Sequence, residues 1–395
     1  MKMNLAIFHG KPIFDTPKST SNLVQPDKHK FLNYIKEIYS DRTNLSGLNK
    51  ITIELEKRLA HEHGADDCIM VCNGLWGIVM SIYALRLKGK TEIIMPSLTY
   101  RRMADIAAWL KMIPHFCDVD YDTLGVRAEH VLPCINKNTA LILAPHPIVN
   151  LCDIDGLIAL AEQYNIPILF DSVEASFSEH KGKKIGSFRD AECFSMHASK
   201  FLNGFEGGYI TTNNESIAHQ LRVIRNNGIN DDTGLVEGSG IDGKLIEIHA
   251  AMTLASLDDK NEQIERNKIR FLKYKTELEG IEGLRLMEYS SSEKRSYKNI
   301  LVRLEKEWPL SRELTIKILQ AENMVVRPYY YPPLHAKKNQ FPTINGVLTN
   351  TEKLMGQLML LPCGEFVNEK DIEIVANYLK YIQQNATSIT KKLPD

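Results

Sequence analysis

Long apolar runs are missing from this 395-residue sequence. Its most hydrophobic window, CIMVCNGLWGIVMSIYALRL, is interrupted by polar residues well short of the ~18 positions that a membrane span needs. The opening MKMNLAIFHGKPIF holds no apolar stretch long enough for a signal peptide. CxxC pairs are absent too, and the seven cysteines (Cys68, Cys72, Cys117, Cys134, Cys152, Cys193, Cys363) are odd in number and scattered. That pattern supports neither a zinc ribbon nor a disulfide framework. The expectation is a reduced, cytoplasmic protein with no membrane partner. An excess of charge is also lacking: 48 Lys+Arg against 49 Asp+Glu leave a net −1. This excludes a generally basic nucleic-acid binder and a polyacidic tail. Metal signatures fail as well. Asp118, Asp120, Asp122 and Glu129 fall on some EF-hand positions, but Thr123 stands where that loop needs glycine. His61-Glu62-His63 lacks the i, i+4 histidine spacing of a zinc helix. No metal is expected.

What remains is ordinary globular material, 44% hydrophobic and 25% charged, long enough for two or three domains. Short apolar runs (Asp67–Cys72, Glu92–Met95, Ile113–Val119, Thr139–Leu143, Ile166–Phe170, Ala191–Ser195, Gly208–Thr212) alternate with segments of i, i+3, i+4 apolar spacing. Such alternation predicts an α/β fold with a mostly parallel sheet covered on both faces. A long helical pattern follows at Ile246–Leu278, then a Ser-rich, charged segment to Lys298, a strand-like Asn299–Leu304 and a closing helix over Glu369–Tyr381. The simplest partition is a large domain over 1–250 with an N-terminal arm, a small α+β domain over 251–384, and a polar, mobile tail over 385–395.

Chemistry concentrates between Ile166 and Gly208. Asp171 ends one strand-like run, and a second run leads into Ser195-Met196-His197-Ala198-Ser199-Lys200 and the turn Gly204-Phe205-Glu206-Gly207-Gly208. In a parallel sheet, ligands gather at the carboxyl ends of strands. A lysine and a carboxylate placed there suit pyridoxal phosphate (PLP), whose aldehyde a lysine captures and whose ring nitrogen an aspartate keeps protonated. A surface lysine and a helix-capping aspartate are the alternative that spacing alone leaves open. Cys68–Gly74 reads as a strand running into Asn73-Gly74 ahead of a helix over Trp76–Leu87, a junction whose free N–H groups suit a phosphate. It is neither a Walker motif nor a dinucleotide fingerprint.

These pieces fall in order with others: VCNG (71–74), PSLTY (96–100), DVDYDT (118–123), PHPIVNLCDID (145–155), DSVEA (171–175), SMHASK (195–200), FEGG (205–208), IRNNGI (224–229), GIDGKLIEIHAA (240–251) and RPYYYPPLH (327–335). From about Gly47 to Tyr381 the chain resembles the DegT/DnrJ/StrS family of sugar aminotransferases. The resemblance implies a fold type I PLP enzyme with a mostly parallel seven-stranded sheet plus a small C-terminal α+β domain. It implies that Lys200 forms the internal aldimine and shuttles the proton, and that Asp171 pairs with the pyridinium. Ser195 with the backbone at Gly74 and Leu75 would hold the phosphate, and Tyr100 would stack on the ring. The Gly240–Lys244 segment would reach a neighbouring subunit's cofactor, giving a homodimer with shared sites. Glutamate would donate the amino group to a keto-sugar, commonly nucleotide-linked. A keto-cyclitol acceptor, or a degenerate member with a regulatory role, are the alternatives.

Three departures from the family pattern stand out. Leu75 replaces a phosphate-binding Thr, Glu174 replaces a Gln or His near the cofactor's phenolic oxygen, and Asp242 replaces a phosphate-binding Asn. Two of these add a carboxylate beside an anionic cofactor, which requires a proton or a cationic partner. Arg101 or Arg102 is the expected partner of Asp242 or Glu174, or else binds a substrate anion. His197, Tyr330 and His335 complete the expected substrate surroundings.

Overall fold

The computed structural model describes residues 5–40, 48–291 and 293–392. Gly47, where the family resemblance begins, and residues 393–395 of the expected tail lie outside these. Two helices, α1 (Lys28–Ser40) and α2 (Lys50–His63), precede the first strand, β1 (Asp67–Val71). Then follow α3 (Gly74–Leu85), β2 (Glu92–Pro96), α4 (Met103–Trp109), β3 (Ile113–Cys117), α5 (Ala128–Val131), β4 (Thr139–Pro145), α6 (Ile154–Tyr164) and β5 (Ile168–Asp171). A small hairpin of β6 (Glu179–His180) and β7 (Lys183–Lys184) leads to β8 (Ala191–Ser195), β9 (Gly208–Thr212) and α7 (Glu215–Arg225).

The seven expected strands all form, but the sheet has eight, in the order β1-β9-β8-β5-β4-β2-β3-β13. The eighth, β13 (Ile344–Asn345), comes from the C-terminal part of the chain and pairs in parallel with β3 through Ile344 and His115. Two residues carry no periodicity, so this strand has no signature in the sequence. β9 runs antiparallel to both β1 and β8, and the other pairings are parallel. Central strands such as β2 and β4 are buried along their whole length, as expected of a parallel sheet covered on both faces.

The helical pattern expected over Ile246–Leu278 is two helices, α8 (Glu247–Asp258) and α9 (Lys260–Leu278). Ala250, Ala251, Leu254 and Leu257 of α8 pack into the core of the large sheet. Phe271, Tyr274 and Leu278 of α9 pack into a second core with the C-terminal elements. The start of α9 still touches the first unit, through Ile264 and through Gln263 Nε2 donating to Phe201 O. That second unit holds the sheet β10-β11-β14-β12, formed by β10 (Leu284–Leu286), β11 (Ile300–Leu304), β12 (Arg327–Pro328) and β14 (Leu358–Leu361). Its helices are α10 (Arg312–Ala321), α11 (Thr349–Leu354) and α12 (Glu369–Thr390). The N-terminal arm joins this unit too: Leu5 and Phe14 enter its core, and the Glu322 carboxylate accepts from the N–H groups of Ala6 and Ile13. α12 does not stop at Tyr381. It continues to Thr390 with Ala386 and Ile389 buried, so residues 385–390 are packed helix and not the mobile tail expected.

Candidate active site

The carboxyl ends of β1, β5 and β8 open into one cavity of about 580 Å³, closed on the far side by the second unit through Arg327 and Tyr330. β1 leads through Cys72 to Asn73, whose side chain caps α3 by accepting from Trp76 N at 2.9 Å. The N–H groups of Gly74 and Leu75, in the first helical turn, have no intrahelical acceptor and carry the positive end of the helix dipole. Close packing holds that turn in place. A Cβ on Gly74 would sit 2.8 Å from Ser195 Cβ, and one on Gly208 would sit 2.6 Å from Gly74 N. Only glycine admits the α3 turn, the end of β8 and the start of β9 to such contact.

Asp171, the last residue of β5, is buried, and its carboxylate accepts from Val173 N at 3.3 Å. Burial pushes its carboxyl up to about 6, while the Val173 N–H and Lys200 pull the other way. Three residues on, Glu174 is equally deep but differently served. Its Oε1 accepts from Lys200 Nζ at 2.6 Å, and its Oε2 accepts from Lys298 Nζ at 2.7 Å and Asn299 Nδ2 at 3.1 Å. Burial favours the neutral acid, yet the two ammonium groups outweigh it and hold Glu174 well below the usual carboxylate range. Burial works on Lys200 as well, against its charge, but Glu174 prevails and its pKa is raised. For Lys298, 5% exposed, burial prevails over Glu174 and its pKa is lowered.

Of the residues singled out by sequence, Gly74, Leu75, Tyr100, Arg101, Asp171, Glu174, Ser195, His197, Lys200 and Tyr330 all line this cavity. Arg102, Asp242 and His335 do not. Arg102 pairs with Asp105 at 3.6 Å on an exposed helix start, and Asp242 pairs with Lys244 at 2.6 Å. His335 Nδ1 meets Ser97 Oγ at 2.7 Å. The arginine pairing expected for Glu174 or Asp242 therefore does not form. Glu174 is already satisfied by two lysines and Asp242 by a third, while Arg101 makes no ion pair among the described residues.

Sequence reasoning missed four contributors. His146 sits in the PHPIVNLCDID motif, stacks parallel to Phe170, and leaves Nε2 buried without a partner. Arg327 was visible only as a letter of the RPYYYPPLH motif. Lys298 and Asn299 had no signal, because they stand where a Ser-rich, charged segment gives way to a strand-like run. The candidate metal residues are spent elsewhere: Asp118 accepts from Asn350 N and Thr351 N, and Glu62 pairs with Lys260.

This donor set fits a flat, anionic aldehyde cofactor. An under-partnered carboxylate at the base suits a pyridinium nitrogen, the N–H groups of the α3 turn beside Ser195 suit a phosphate, and the lysine lies within reach of both. Comparison with known proteins agrees. The model of the DegT/DnrJ/EryC1/StrS aminotransferase family matches residues 26–380. The chain is 24% identical over 377 residues to a dTDP-4-amino-4,6-dideoxy-D-glucose transaminase of Shigella dysenteriae, covering 94% of this chain and all of that one. It is 27% identical over 295 residues to a GDP-perosamine synthase of Caulobacter vibrioides, covering 74% and 79% of the two chains. Among solved structures, DesI determined in the presence of its TDP-sugar product superposes with a TM-score of 0.92 at 27% identity over 98% of both chains. The architecture is that of fold type I PLP aminotransferases, shared at the level of fold with 3-amino-5-hydroxybenzoic acid synthase, at a TM-score of 0.83 and 18% identity over 93% of this chain and 99% of that one. The chain belongs to the DegT/DnrJ/EryC1/StrS aminotransferase family and is a PLP-dependent aminotransferase.

Proposed function

We propose that this enzyme moves an amino group from glutamate to a keto-sugar, nucleotide-linked, in the cytoplasmic biosynthesis of an amino sugar. The observation that carries the reading is the convergence of Asp171, Glu174 and Lys200 on one cavity at the carboxyl edge of the sheet. When bound, PLP supplies an electron sink for the pair released at the substrate carbon. Lys200 Nζ would hold the cofactor through its aldehyde and would carry a proton to and from the substrate. The Asp171 carboxylate would keep the ring nitrogen protonated. Gly74 N, Leu75 N and Ser195 Oγ would take the phosphate, and Tyr100 and Glu174 would bind the ring. Arg101 and Arg327, both lining the cavity, are cations available to a substrate anion.

The substrate class rests on the relatives, which are named for dTDP- and GDP-linked sugars. A second reading, a keto-cyclitol acceptor, is favoured by 31% identity over 193 residues, 48% of the chain, to the L-glutamine:2-deoxy-scyllo-inosose aminotransferase of Streptomyces fradiae. The regulatory alternative loses its main support, since Glu174 is charge-compensated by Lys298. All seven cysteines being free thiols suits a reducing compartment, and no helix among the described residues is long and apolar enough to cross a membrane. Asp242 and Lys244 do not line their own chain's cavity, which suits a homodimer in which this segment serves the partner's site. Glutamate-dependent amination assayed against nucleotide-linked keto-sugars and free keto-cyclitols decides the acceptor. Lys200→Ala should abolish turnover, and a variant that still turns over would overturn the mechanism.

A further inference from the structure

One group in the site has no place in the scheme above. Lys298, behind the cavity wall and 124 positions along the chain from Glu174, comes from the second unit and buries its ammonium against that carboxylate at 2.7 Å. Burying an ammonium is costly unless it is paired, and among the described residues its one acidic partner is the carboxylate that Lys200 already uses. A carboxylate caught between two lysines can satisfy either, so the two cations compete for it.

That competition matters because Lys200 must lose its proton to do chemistry. An amine adds to a carbonyl, or takes a proton from carbon, only as the neutral base. A buried Glu174 whose only cation was Lys200 would fix it as an ammonium. With Lys298 in place, Glu174 keeps a cation and the Asn299 hydrogen bond whatever Lys200 is doing. We propose that Lys298 is a positioning residue, the standing counter-ion of Glu174, which frees the Lys200 nitrogen to shed its proton while Glu174 stays ionised. The other groups acting on Lys200 are Asp171 and Tyr100, both of which favour its proton. Around Lys298 the remaining titratable neighbour is Cys363, a buried thiol whose pKa is pushed up to about 11, chiefly by burial, so it supplies no competing charge at neutral pH. Lys298 is thus the cation that opposes protonation of Lys200. The inference rests on the reading of Lys200 as the cofactor-bearing lysine.

The test is a spectrophotometric pH titration of the PLP-loaded enzyme, whose visible absorbance reports loss of the proton on the cofactor-linked Lys200 nitrogen. Removing a like charge at this range moves a pKa by ~1–3 units. Lys298→Met should therefore raise the midpoint by about one pH unit or more. Lys298→Arg, which keeps the cation, should stay near wild type. Glu174→Gln should fall below wild type, and Glu174→Gln/Lys298→Met should return toward it. That last pair isolates the Lys298 charge even where Lys298→Met alone fails to fold, because the neutral glutamine leaves no buried charge unpaired. A midpoint unmoved or lowered on loss of Lys298, in either background, overturns the inference. Borohydride fixation with peptide mapping separates the two failures. Label on a lysine other than Lys200 overturns the functional reading, whereas label on Lys200 with an unmoved midpoint overturns only the role of Lys298.

Discussion

Asp171 and Glu174 stand three residues apart, both buried, and their surroundings push them in opposite directions. Asp171 has a hydrogen bond but no ion pair at contact distance, so burial dominates and its pKa rises from 3.8 to about 6. The sign of its effect on stability follows. Folding favours the protonated form, so stability is lost as pH climbs from near 3.8 through about 6, and the loss is complete above that. Two pKa units correspond to about 3 kcal/mol. Asp171→Asn should therefore stabilise the cofactor-free protein at pH 7.5 by up to about 3 kcal/mol in urea unfolding, with little effect near pH 4, while turnover collapses. Glu192, buried beside Ser172 and pushed up to about 7 chiefly by burial, works in the same sense. Glu174 works oppositely, adding stability above pH ~4.5 that is lost on acidification. Asp171 and Lys200 were legible in the sequence because strand-end position and motif are local properties. The Glu174–Lys298 pair was not, because its partners come from separate units and only the folded chain brings them together.

At the level of elements, the strands could be read from their apolar runs, and the places where reading failed have physical causes. β13 is too short to carry a period, and its place beside β3 is set by the path from the second unit. α12 shows the converse. Ile382, Ala386 and Ile389 continue the buried stripe of the helix at i, i+4, i+7, but the intervening Asn385, Thr387 and Ser388 read as tail. Ile389→Ala should consequently destabilise the protein by about 2–4 kcal/mol in urea unfolding, where a mobile tail would show no change. The junction of α3 with β8 makes a sharper demand. Gly74→Ala places a methyl 2.8 Å from Ser195 Cβ and 3.2 Å from Phe194 O, so helix and strand must separate. Overpacking of this kind costs about 1–3 kcal/mol. Because the displaced turn carries the Gly74 and Leu75 N–H groups, the melting temperature and the affinity for PLP should fall together, as measured by thermal melting and by cofactor titration.

For the molecule as a whole, the cavity is complete only while the second unit stays seated on the first, since Arg327 and Tyr330 in its wall, and Lys298 on Glu174, all arrive from that side. Several attachments keep it there away from the cavity, among them the following. β13 adds to the large sheet, Ser97 of the large unit bonds His335, and Asp118 at the end of β3 receives Asn350 N, Thr351 N and Thr351 Oγ1 at 2.7–2.8 Å. Asp118 is the most exacting of these, because its buried carboxylate satisfies three donors at the start of α11 that no other described group takes up. Asp118→Ala leaves those donors desolvated and unpaired, at a cost of about 2–4 kcal/mol. Its effect should reach the chemistry at a distance. A looser second unit withdraws Lys298 from Glu174, so the absorbance midpoint of the PLP-loaded enzyme should rise, as in Lys298→Met but by less. A loss of stability in urea unfolding without that rise would mean that Asp118 holds α11 alone, and that the lysine pair is kept in register by β11, which begins two residues after Lys298.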